Sequence, residues 1–444
     1  MAKLTFRGGV HPYDGKELSK DKPIKAVLPK GDLVYPLSQH IGAPAKPIVE
    51  KGDRVLTGQK IAEAGGFVSA PIYATVSGTV KAIEPRRVVT GDNVMSIIIE
   101  NDGLYEEVEY PKRKPLEEMS REEIIECVKE AGVVGMGGAG FPCHVKLCPP
   151  PTAKAECVIL NGVECEPYIT SDYRLMLEHA DEILVGLDLL MRAAHVERGY
   201  IGIEENKPDA IRLLQEKTAN RQDIKIVPLK MKYPQGGEKQ LVDAVINRQV
   251  PAPPAIPVSV GAIVQNVATA YAVYQAVMKH KPLFERYTTV SGLAMGKSAN
   301  YLVRMGTPFA QLVDLCGGLP EGDNKVLAGG PMMGKAVASL DVPVCKGTNA
   351  VTVLSGSDAH RGKVQPCIRC GKCVEVCPMG LEPYLLATLS ANDMYDRAEQ
   401  EQIVSCIACG SCQFTCPSHR PILDNIVIGK GRVMANIKSR NQKK

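Results

Sequence analysis

The chain contains no tryptophan and few aromatic side chains of any kind. Its 444 residues include 6 Phe and 15 Tyr, so aromatic residues make up only 5% of the sequence. Proteins that bind single-stranded nucleic acid usually stack the bases on such side chains. The formal net charge is also small, +4 from 53 Lys and Arg against 49 Asp and Glu, and it provides little attraction for a polyanion. Nucleic acid is therefore not expected as a partner.

Long apolar runs are lacking as well. Met1 is followed by Ala-Lys-Leu-Thr-Phe-Arg, a start without the apolar core of a secretory signal. The most membrane-like stretch, 258–278, has no charge but is interrupted by Gln, Asn and Thr side chains, which are costly inside a bilayer. This stretch predicts a buried helix rather than a membrane span. The 15 cysteines are accordingly expected in a reducing, cytosolic setting rather than in disulfides.

Changes in the apolar pattern along the chain predict a multidomain protein of the α/β plus β class. Residues 31–110 carry short apolar runs cut by Gly, Pro and Asp, which is typical of strands and turns. After a basic linker at 111–115, strand-like and helix-like segments alternate, as in a mostly parallel sheet with right-handed crossovers. The basic end of the chain predicts a solvated tail, with contact to anionic lipid or an acidic partner as the alternative. The predicted divisions are a leader (1–30), a β domain (31–110), an α/β domain (116–286), a second β-rich domain (287–345), a cysteine-rich domain (355–428) and a basic tail (429–444).

Eight of the cysteines fall into two runs with the pattern Cys-x2-Cys-x2-Cys-x3-Cys-Pro. This spacing is typical of ferredoxins with two [4Fe–4S] clusters, in which the fourth cysteine of each run binds the cluster of the other run. The residues between the runs are compatible with helices, which favours an α-helical type of ferredoxin domain. Two zinc sites are the alternative, but zinc motifs usually pair Cys-x2-Cys with a distant second pair. The predicted ligands are Cys367, Cys370, Cys373 and Cys416 for cluster one, and Cys377, Cys406, Cys409 and Cys412 for cluster two.

A glycine-rich loop, Gly135–Pro142, follows a predicted helix rather than a strand. It therefore lacks the context of a dinucleotide-binding fingerprint, and its glycines alone would be explained by a turn. Three further elements follow it: Lys146, the segment Asn161–Pro167 after a predicted strand, and Gly236–Glu238 at the start of a predicted helix. Because open α/β sheets bind ligands at the carboxyl ends of their strands, these elements together predict a ligand site.

The segments GMGGAGFP, NGVECEP, GGE and VQNVAT resemble, in the same order, the FMN- and NADH-binding flavoprotein subunit of respiratory complex I. The resemblance implies that the glycine loop and the following Lys hold the flavin phosphate, and that amide and acidic residues surround the ring system. It also implies that the loop aromatic stacks on NADH and that two acids line the hydride-transfer site. The residues so implied are Gly137, Gly138, Gly140, Lys146, Asn161, Glu238 and Asn266 for FMN, Phe141 for NADH, and Glu164 and Glu166 as catalytic residues.

The complete combination of segments resembles a different family more closely, the C subunit of the Rnf complex. That family joins the flavin segments to a leader like FRGGVHP, to two cluster motifs, to a barrel-sandwich domain like that of lipoyl carriers and to a soluble-ligand-binding β-grasp domain. Residues 65–69 occupy the position where lipoyl carriers have a modifiable Lys, and they contain none. The resemblance implies a peripheral subunit at the cytoplasmic face of the inner membrane. Its implied partners are the other subunits of an ion-translocating ferredoxin:NAD+ oxidoreductase, with ferredoxin reached indirectly through one of them.

The predicted function follows from the cofactors. NADH carries two electrons as hydride and a [4Fe–4S] cluster carries one, so FMN is expected between them. Two alternatives stay open. A flavin-dependent cobalamin reductase of the propanediol-utilisation type shares the glycine loop and the paired clusters. A flavin-free iron–sulfur relay or scaffold is favoured by Met136, Lys239 and Gln265, which stand where the complex I motifs have Arg, Glu and Asn.

Overall fold

The leader is built into the body of the protein. In the computed structural model, which describes residues 4–111 and 114–442, strand β1 (Ile24–Val27) pairs in parallel with Ala299–Arg304, the strand named β14 below. Upstream of β1, the buried ammonium of Lys16 donates to the carbonyls of Glu166 and Ile169 at 3.1 and 2.7 Å. The sequence predicts a leader at 1–30 but not these contacts, because the partners of this segment lie far away along the chain.

The first β domain contains two antiparallel sheets, as the turn-rich sequence predicts. The sheets share one core, in which Leu33, Tyr35, Val55 and Ile97 are 0% exposed. The strand order is β2-β8-β7-β4 in one sheet and β3-β5-β6 in the other, for strands β2 (Leu33–Pro36), β3 (Lys46–Pro47), β4 (Arg54–Val55), β5 (Lys60–Glu63), β6 (Ile72–Tyr73), β7 (Gly78–Arg87) and β8 (Asn93–Asn101).

The α/β domain has the parallel sheet that its alternating pattern predicts, in the order β11-β10-β9-β12. The inner strands are apolar because helices cover both faces of such a sheet. Two expectations about helices are wrong. The helix predicted from Arg174 is divided in two at His179, and the stretch 258–278 contains the end of a 3-10 helix and a buried strand before its α-helix. The elements are α1 (Arg121–Glu130), α2 (Cys143–Lys146), β9 (Cys157–Asn161), α3 (Ser171–Glu178), α4 (Ala180–Ala194), β10 (Gly199–Glu204), α5 (Pro208–Lys217), β11 (Ile224–Leu229), α6 (Glu238–Ile246), β12 (Ala262–Asn266) and α7 (Val267–Lys279).

The second β domain is a mixed sheet in the order β1-β14-β13-β17-β15-β16. It extends beyond the predicted 287–345 at both ends, because its first strand begins at Glu285 and a central strand ends at Ser355. One helix covers the sheet with the apolar side chains of Phe309, Leu312 and Val313. The elements are β13 (Glu285–Ser291), β14 (Ala299–Arg304), α8 (Phe309–Leu315), β15 (Asn324–Ala328), β16 (Lys335–Ala336) and β17 (Ala350–Ser355).

The cysteine-rich domain is helical, as predicted. Residues 429–442 of the predicted basic tail continue the longest helix of this domain, and most of their side chains are exposed, as a solvated end requires. On this helix Val433 is 1% exposed, and Arg440 forms a salt bridge with Glu399 at 2.5 Å. Within the described ranges, no helix is long and apolar enough to cross a membrane. The helices are α9 (Lys372–Glu375), α10 (Pro383–Ala391), α11 (Tyr395–Gln400), α12 (Ser411–Phe414) and α13 (Ile422–Gln442), and short 3-10 helices elsewhere lie at Lys16–Leu18, Leu116–Glu118, Pro257–Val260, Gly356–Ala359 and Ile403–Ser405.

Candidate functional site

The glycine loop, Gly135–Pro142, connects α1 to α2 and lies against the carboxyl end of the sheet. The loop is closed at its base, where the Gly135 N–H donates to the Phe141 carbonyl at 2.8 Å. A Cβ on Gly137 would lie 2.9 Å from the amide nitrogen of Asn266, whereas one on Gly138 would meet no atom within 4 Å. Glycine is thus required at 137 by the protein itself, while the outer face of the loop at 138 is open.

Other parts of the chain hold this loop in place. The Met136 N–H donates to the Thr269 hydroxyl at 3.0 Å, and the Met136 carbonyl accepts from the guanidinium of Arg286 at 2.7 Å. Arg286 is 1% exposed. From the first β domain, the Ile41 N–H donates to the Gly140 carbonyl at 3.3 Å. Sequence analysis missed Arg286 because it lies outside every motif, at the start of a β-prone run.

Three predicted flavin residues meet at the carboxyl edge of the sheet. The ammonium of Lys146 donates to the carboxylate of Glu238 at 2.7 Å and to the Val264 carbonyl at 3.1 Å. The side-chain amide of Asn161 donates to the Gly236 carbonyl at 2.8 Å. These contacts bring α2, the end of β9, the end of β12 and the start of α6 to one place.

Asn266 is engaged inside the protein. Its side-chain oxygen accepts from the Ala268 N–H at 2.8 Å and caps α7, the usual role of Asn at a helix start. Its side-chain nitrogen donates to the carboxylate of Asp172 at 2.6 Å. The residue is 8% exposed and lies next to Gly137, so its direct role is to support the glycine loop.

The two acids predicted to be catalytic have different partners. The carboxylate of Glu164 accepts from the N–H groups of Asp172 and Tyr173, at 2.7 and 3.3 Å, at the beginning of α3. The carboxylate of Glu166 accepts from the N–H groups of Met332 and Met333, at 3.1 and 2.7 Å, in the second β domain. Burial raises the pKa of each carboxyl to about 7. Both acids therefore fix the shape of the segment Asn161–Pro167, one within its domain and one across a domain boundary.

Seven of the eight motif cysteines fall into two groups with different surroundings, and the eighth, Cys370, is exposed. One group surrounds a cavity between α10, α12 and the start of α13, and it consists of Cys377, Cys406, Cys409 and Cys412. These are the four ligands predicted for cluster two, although Cys377 belongs to the first run. In the other group, Cys373 is close enough to Cys367 and Cys416 for their thiolates to raise its pKa in addition to burial. The arrangement fits two clusters with crossed ligand sets.

An apolar contact joins the flavin-like domain to the cluster-two ligands. Val10, Tyr233 and Cys409 form its buried centre, and Cys165, Met332, Val376 and Ile407 pack around them. We call these seven residues the junction cluster. The phenol of Tyr233 donates to the Cys409 carbonyl at 2.7 Å. Sequence analysis missed Tyr233, although the leader that pairs with it is one of the segments on which the Rnf resemblance rests.

Comparison with known protein families agrees with this architecture. Residues 4–104 match the RnfC barrel-sandwich hybrid domain, and residues 128–275 match the Nuo51 FMN-binding domain. Residues 287–336 match the SLBB domain, and residues 359–417 match the 4Fe-4S dicluster domain. The predicted fold class is confirmed, as are an FMN-binding domain and a domain for two [4Fe–4S] clusters. The first match includes the leader, in agreement with its place in the fold.

Several proteins are similar to the chain over most of its length. The C subunit of the Na+-translocating ferredoxin:NAD+ oxidoreductase complex of Acetobacterium woodii is 44% identical over 440 residues, 98% of this chain and 99% of that protein. The C subunit of the proton-translocating complex of Clostridium ljungdahlii is 46% identical over 399 residues, 89% and 87% of the two chains. The C subunit of the ion-translocating oxidoreductase complex of Rhodobacter capsulatus is 40% identical over 405 residues, 90% and 78% of the two chains.

Among solved structures, a chain of a NAD+-reducing [NiFe]-hydrogenase in the air-oxidised state is similar at a TM-score of 0.48 and 21% identity. The similarity covers 63% of this chain and 54% of the hydrogenase chain. The family assignment rests on the sequence relatives and the four domain matches. The chain belongs to the family of C subunits of Rnf-type, ion-translocating ferredoxin:NAD+ oxidoreductase complexes.

Proposed function

We propose that this subunit exchanges hydride with NAD(H) at an FMN site formed by the glycine loop and passes single electrons between that site and cluster one by way of cluster two. One observation carries the proposal. Tyr233, between β11 of the flavin-domain sheet and α6, donates a hydrogen bond to the backbone carbonyl of the cluster-two ligand Cys409. Of the two groups of cysteines, this group has a direct contact with the domain that bears the flavin motifs.

The residues around the glycine loop fit FMN. Gly137 and Gly138 are exposed, so their backbone can approach a ligand closely, and Lys146 provides a cation at the rim for the phosphate. Glu238 contacts Lys146, and Asn161 contacts Gly236 at the same edge of the sheet. When bound, FMN supplies the conversion between two-electron hydride chemistry and the one-electron chemistry of the clusters.

The nicotinamide side of the site is assigned to Phe141, Glu164 and Glu166. Phe141 is partly exposed at the end of the loop, where its ring would stack on NADH. We infer that the two acids act mainly by position, since their oxygens accept hydrogen bonds from backbone N–H groups of α3 and of the second β domain. Their work is to hold the segment Asn161–Pro167 beside the flavin.

Cluster one is proposed as the end of the electron-transfer route that meets another subunit of the complex. Lys363, Arg369 and Lys372 are exposed around its ligands, and none of the three forms a salt bridge within the part of the chain that the structure describes. A basic surface of this kind favours an acidic electron-transfer partner, through which ferredoxin would be reached. Because NADH is a cytoplasmic substrate, we place the subunit on the cytoplasmic face of the membrane.

The test is a cofactor assay on the full chain, reconstituted without oxygen, followed by titration with NADH. The proposal expects about eight irons with matching sulfide and about one FMN per chain, and bleaching of the flavin absorbance by NADH. Full iron content with neither bound flavin nor a response to NADH would leave only an iron–sulfur relay and would refute the proposal.

A further inference from the structure

Tyr233 occupies the point where four parts of the chain meet. The residue follows β11 in the flavin domain and is 2% exposed. In the junction cluster it contacts Val10 of the leader, Met332 of the second β domain and Cys409 of the ferredoxin domain. A tyrosine that only fills a core would have all of these neighbours in its own domain.

The hydroxyl of Tyr233 is committed to the ferredoxin domain. It donates to the carbonyl of Cys409 at 2.7 Å, and Cys409 itself is 7% exposed. The carboxylate of Glu166 is a neighbour of the Tyr233 phenol. Glu166, which accepts from the N–H groups of Met332 and Met333, thus lies next to Tyr233, which donates to the predicted ligand Cys409.

The leader also contacts both Tyr233 and the ferredoxin domain. Val10 and Tyr233 exchange two backbone hydrogen bonds, at 2.8 and 2.9 Å, and the Gly9 N–H donates to the Val376 carbonyl at 2.8 Å. A Cβ on Gly8, whose φ is +81°, would lie 2.8 Å from the carbonyl oxygen of Cys377. Two cluster-two cysteines from different runs are therefore fixed by contacts that begin at the leader and at Tyr233.

A second buried tyrosine gives the contrast. Tyr35 is 0% exposed, and its hydroxyl is hydrogen-bonded at 2.8 Å to Thr75 of the same domain. Both tyrosines use a hydroxyl in a buried hydrogen bond, but the bond of Tyr233 ends on the backbone of a predicted cluster ligand. Hydrogen bonds around an iron–sulfur cluster are one of the means by which a protein sets its reduction potential.

We propose that Tyr233 is a positioning residue for electron transfer, which holds the Cys409 loop against the flavin domain and tunes cluster two through its hydrogen bond to the Cys409 carbonyl. This inference rests on the proposed function. The step concerned moves one electron into or out of cluster two, with its donor oxidised or its acceptor reduced by one electron, and no bond forms or breaks. A donor at the ligand carbonyl withdraws electron density from the ligand, so it favours the reduced, more negative cluster.

The experiment uses Tyr233→Phe in the full chain with its iron and flavin content verified. Both clusters are titrated electrochemically and followed by electron paramagnetic resonance, and Cys370→Ser identifies the signal of cluster one. At a fixed potential we expect the ratio of reduced to oxidised cluster two to fall about threefold to tenfold, where tenfold corresponds to ~59 mV for one electron. Cluster one is expected to keep its potential, and the reduction of cluster two by NADH is expected to slow.

Tyr35→Phe is the matched control, because it removes a buried tyrosine hydroxyl with a hydrogen bond at a distance from both clusters. The inference is overturned if Tyr233→Phe leaves cluster two unchanged, if both clusters shift equally, or if Tyr35→Phe produces the same shift. The electrochemical titration needs no NADH. A chain that does not respond to NADH would refute the proposed function, while the change in cluster two would still decide the role of Tyr233.

Discussion

The two cysteine runs have the same spacing but very different surroundings. In the second run, Cys409 and Cys412 are 7% and 8% exposed, and the ligand loop packs on the leader and on the flavin domain. In the first run, Cys367 and Cys370 are exposed, within a coil in which every residue from 361 to 372 is exposed. The spacing of the two runs is the same, but the neighbouring domains bury Cys409 and Cys412 of the second run and leave Cys367 and Cys370 of the first run exposed.

The two runs also differ in the side chains that surround them. Around the first run, Ile368 and Val364 are 67% and 56% exposed and stand among cations. Around the second run, the ammonium of Lys430 donates to the Cys406 carbonyl at 2.7 Å and is therefore engaged within the domain. Under the proposed function, the same sequence motif would serve as an internal relay in one case and as a docking surface in the other.

The largest effect is expected from removing the crossed ligands. Cys377→Ala should eliminate cluster two, the buried one, and Cys416→Ala should eliminate cluster one, each with loss of about four irons. The physical reason is that the last cysteine of each run lies beside cysteines of the other run: Cys377 lines the cavity of Cys406, Cys409 and Cys412, and Cys416 is a neighbour of Cys373. Iron analysis and electron paramagnetic resonance of the remaining cluster check this.

Cys127→Ala, at a partly exposed cysteine outside both runs, serves as control and should keep both clusters. If each variant instead lost the cluster of its own run, the ligand sets would not be crossed and the assignment of the buried cavity would be wrong.

A smaller effect is expected at the glycine loop, the proposed flavin site in the domain that contacts the buried cluster-two ligands. In Gly137→Ala the new methyl group would press on Asn266, so unfolding free energy should fall by about 1–3 kcal/mol and flavin should be lost. In Gly138→Ala the protein has room, so stability should stay within about 0.5 kcal/mol while FMN affinity falls about tenfold, ~1.4 kcal/mol. Thermal unfolding and flavin titration measure the two effects.

Both variants should still accept electrons into their clusters from dithionite. Unchanged flavin affinity in Gly138→Ala would show that the open face of the loop is not the flavin side.

The smallest effect is expected at the exposed basic residues around the cluster-one ligands. Changing Lys363, Arg369 and Lys372 to Glu should slow electron exchange with an acidic bacterial ferredoxin, used as a probe, about threefold to tenfold at low salt. The difference should shrink as salt rises, because exposed charges are screened. Stopped-flow rates at two ionic strengths check this, and the flavin response to NADH should not change.

The control reverses three other exposed lysines, namely Lys25 on β1 and Lys46 and Lys51 in the first β domain. Equal slowing in both triple variants would mean that net charge matters and that the cluster-one surface is not the docking site.

Sequence patterns predict the features whose determinants are local. The cysteine spacing and the order of the flavin motifs require no knowledge of distant contacts, and the alternating pattern predicts the parallel sheet. The pairing of β1 with β14 and the burial of Val433 on α13 are not visible in the sequence patterns, because the partners of these residues are not near in sequence. The strand in 258–278 escapes prediction because buried strands and buried helices are both apolar. Tyr233 and Arg286 could not be predicted, because a single residue that bridges two domains produces no periodic pattern in the sequence.

The central claim is that cluster two stands between the flavin site and cluster one. Its most direct test is to mix the reconstituted chain with NADH, freeze samples at successive times and record the two cluster signals by electron paramagnetic resonance. The account predicts that the cluster-two signal, the one lost in Cys377→Ala, rises first and that cluster one follows. Reduction of cluster one first, or at its full rate in a chain without cluster two, would contradict it.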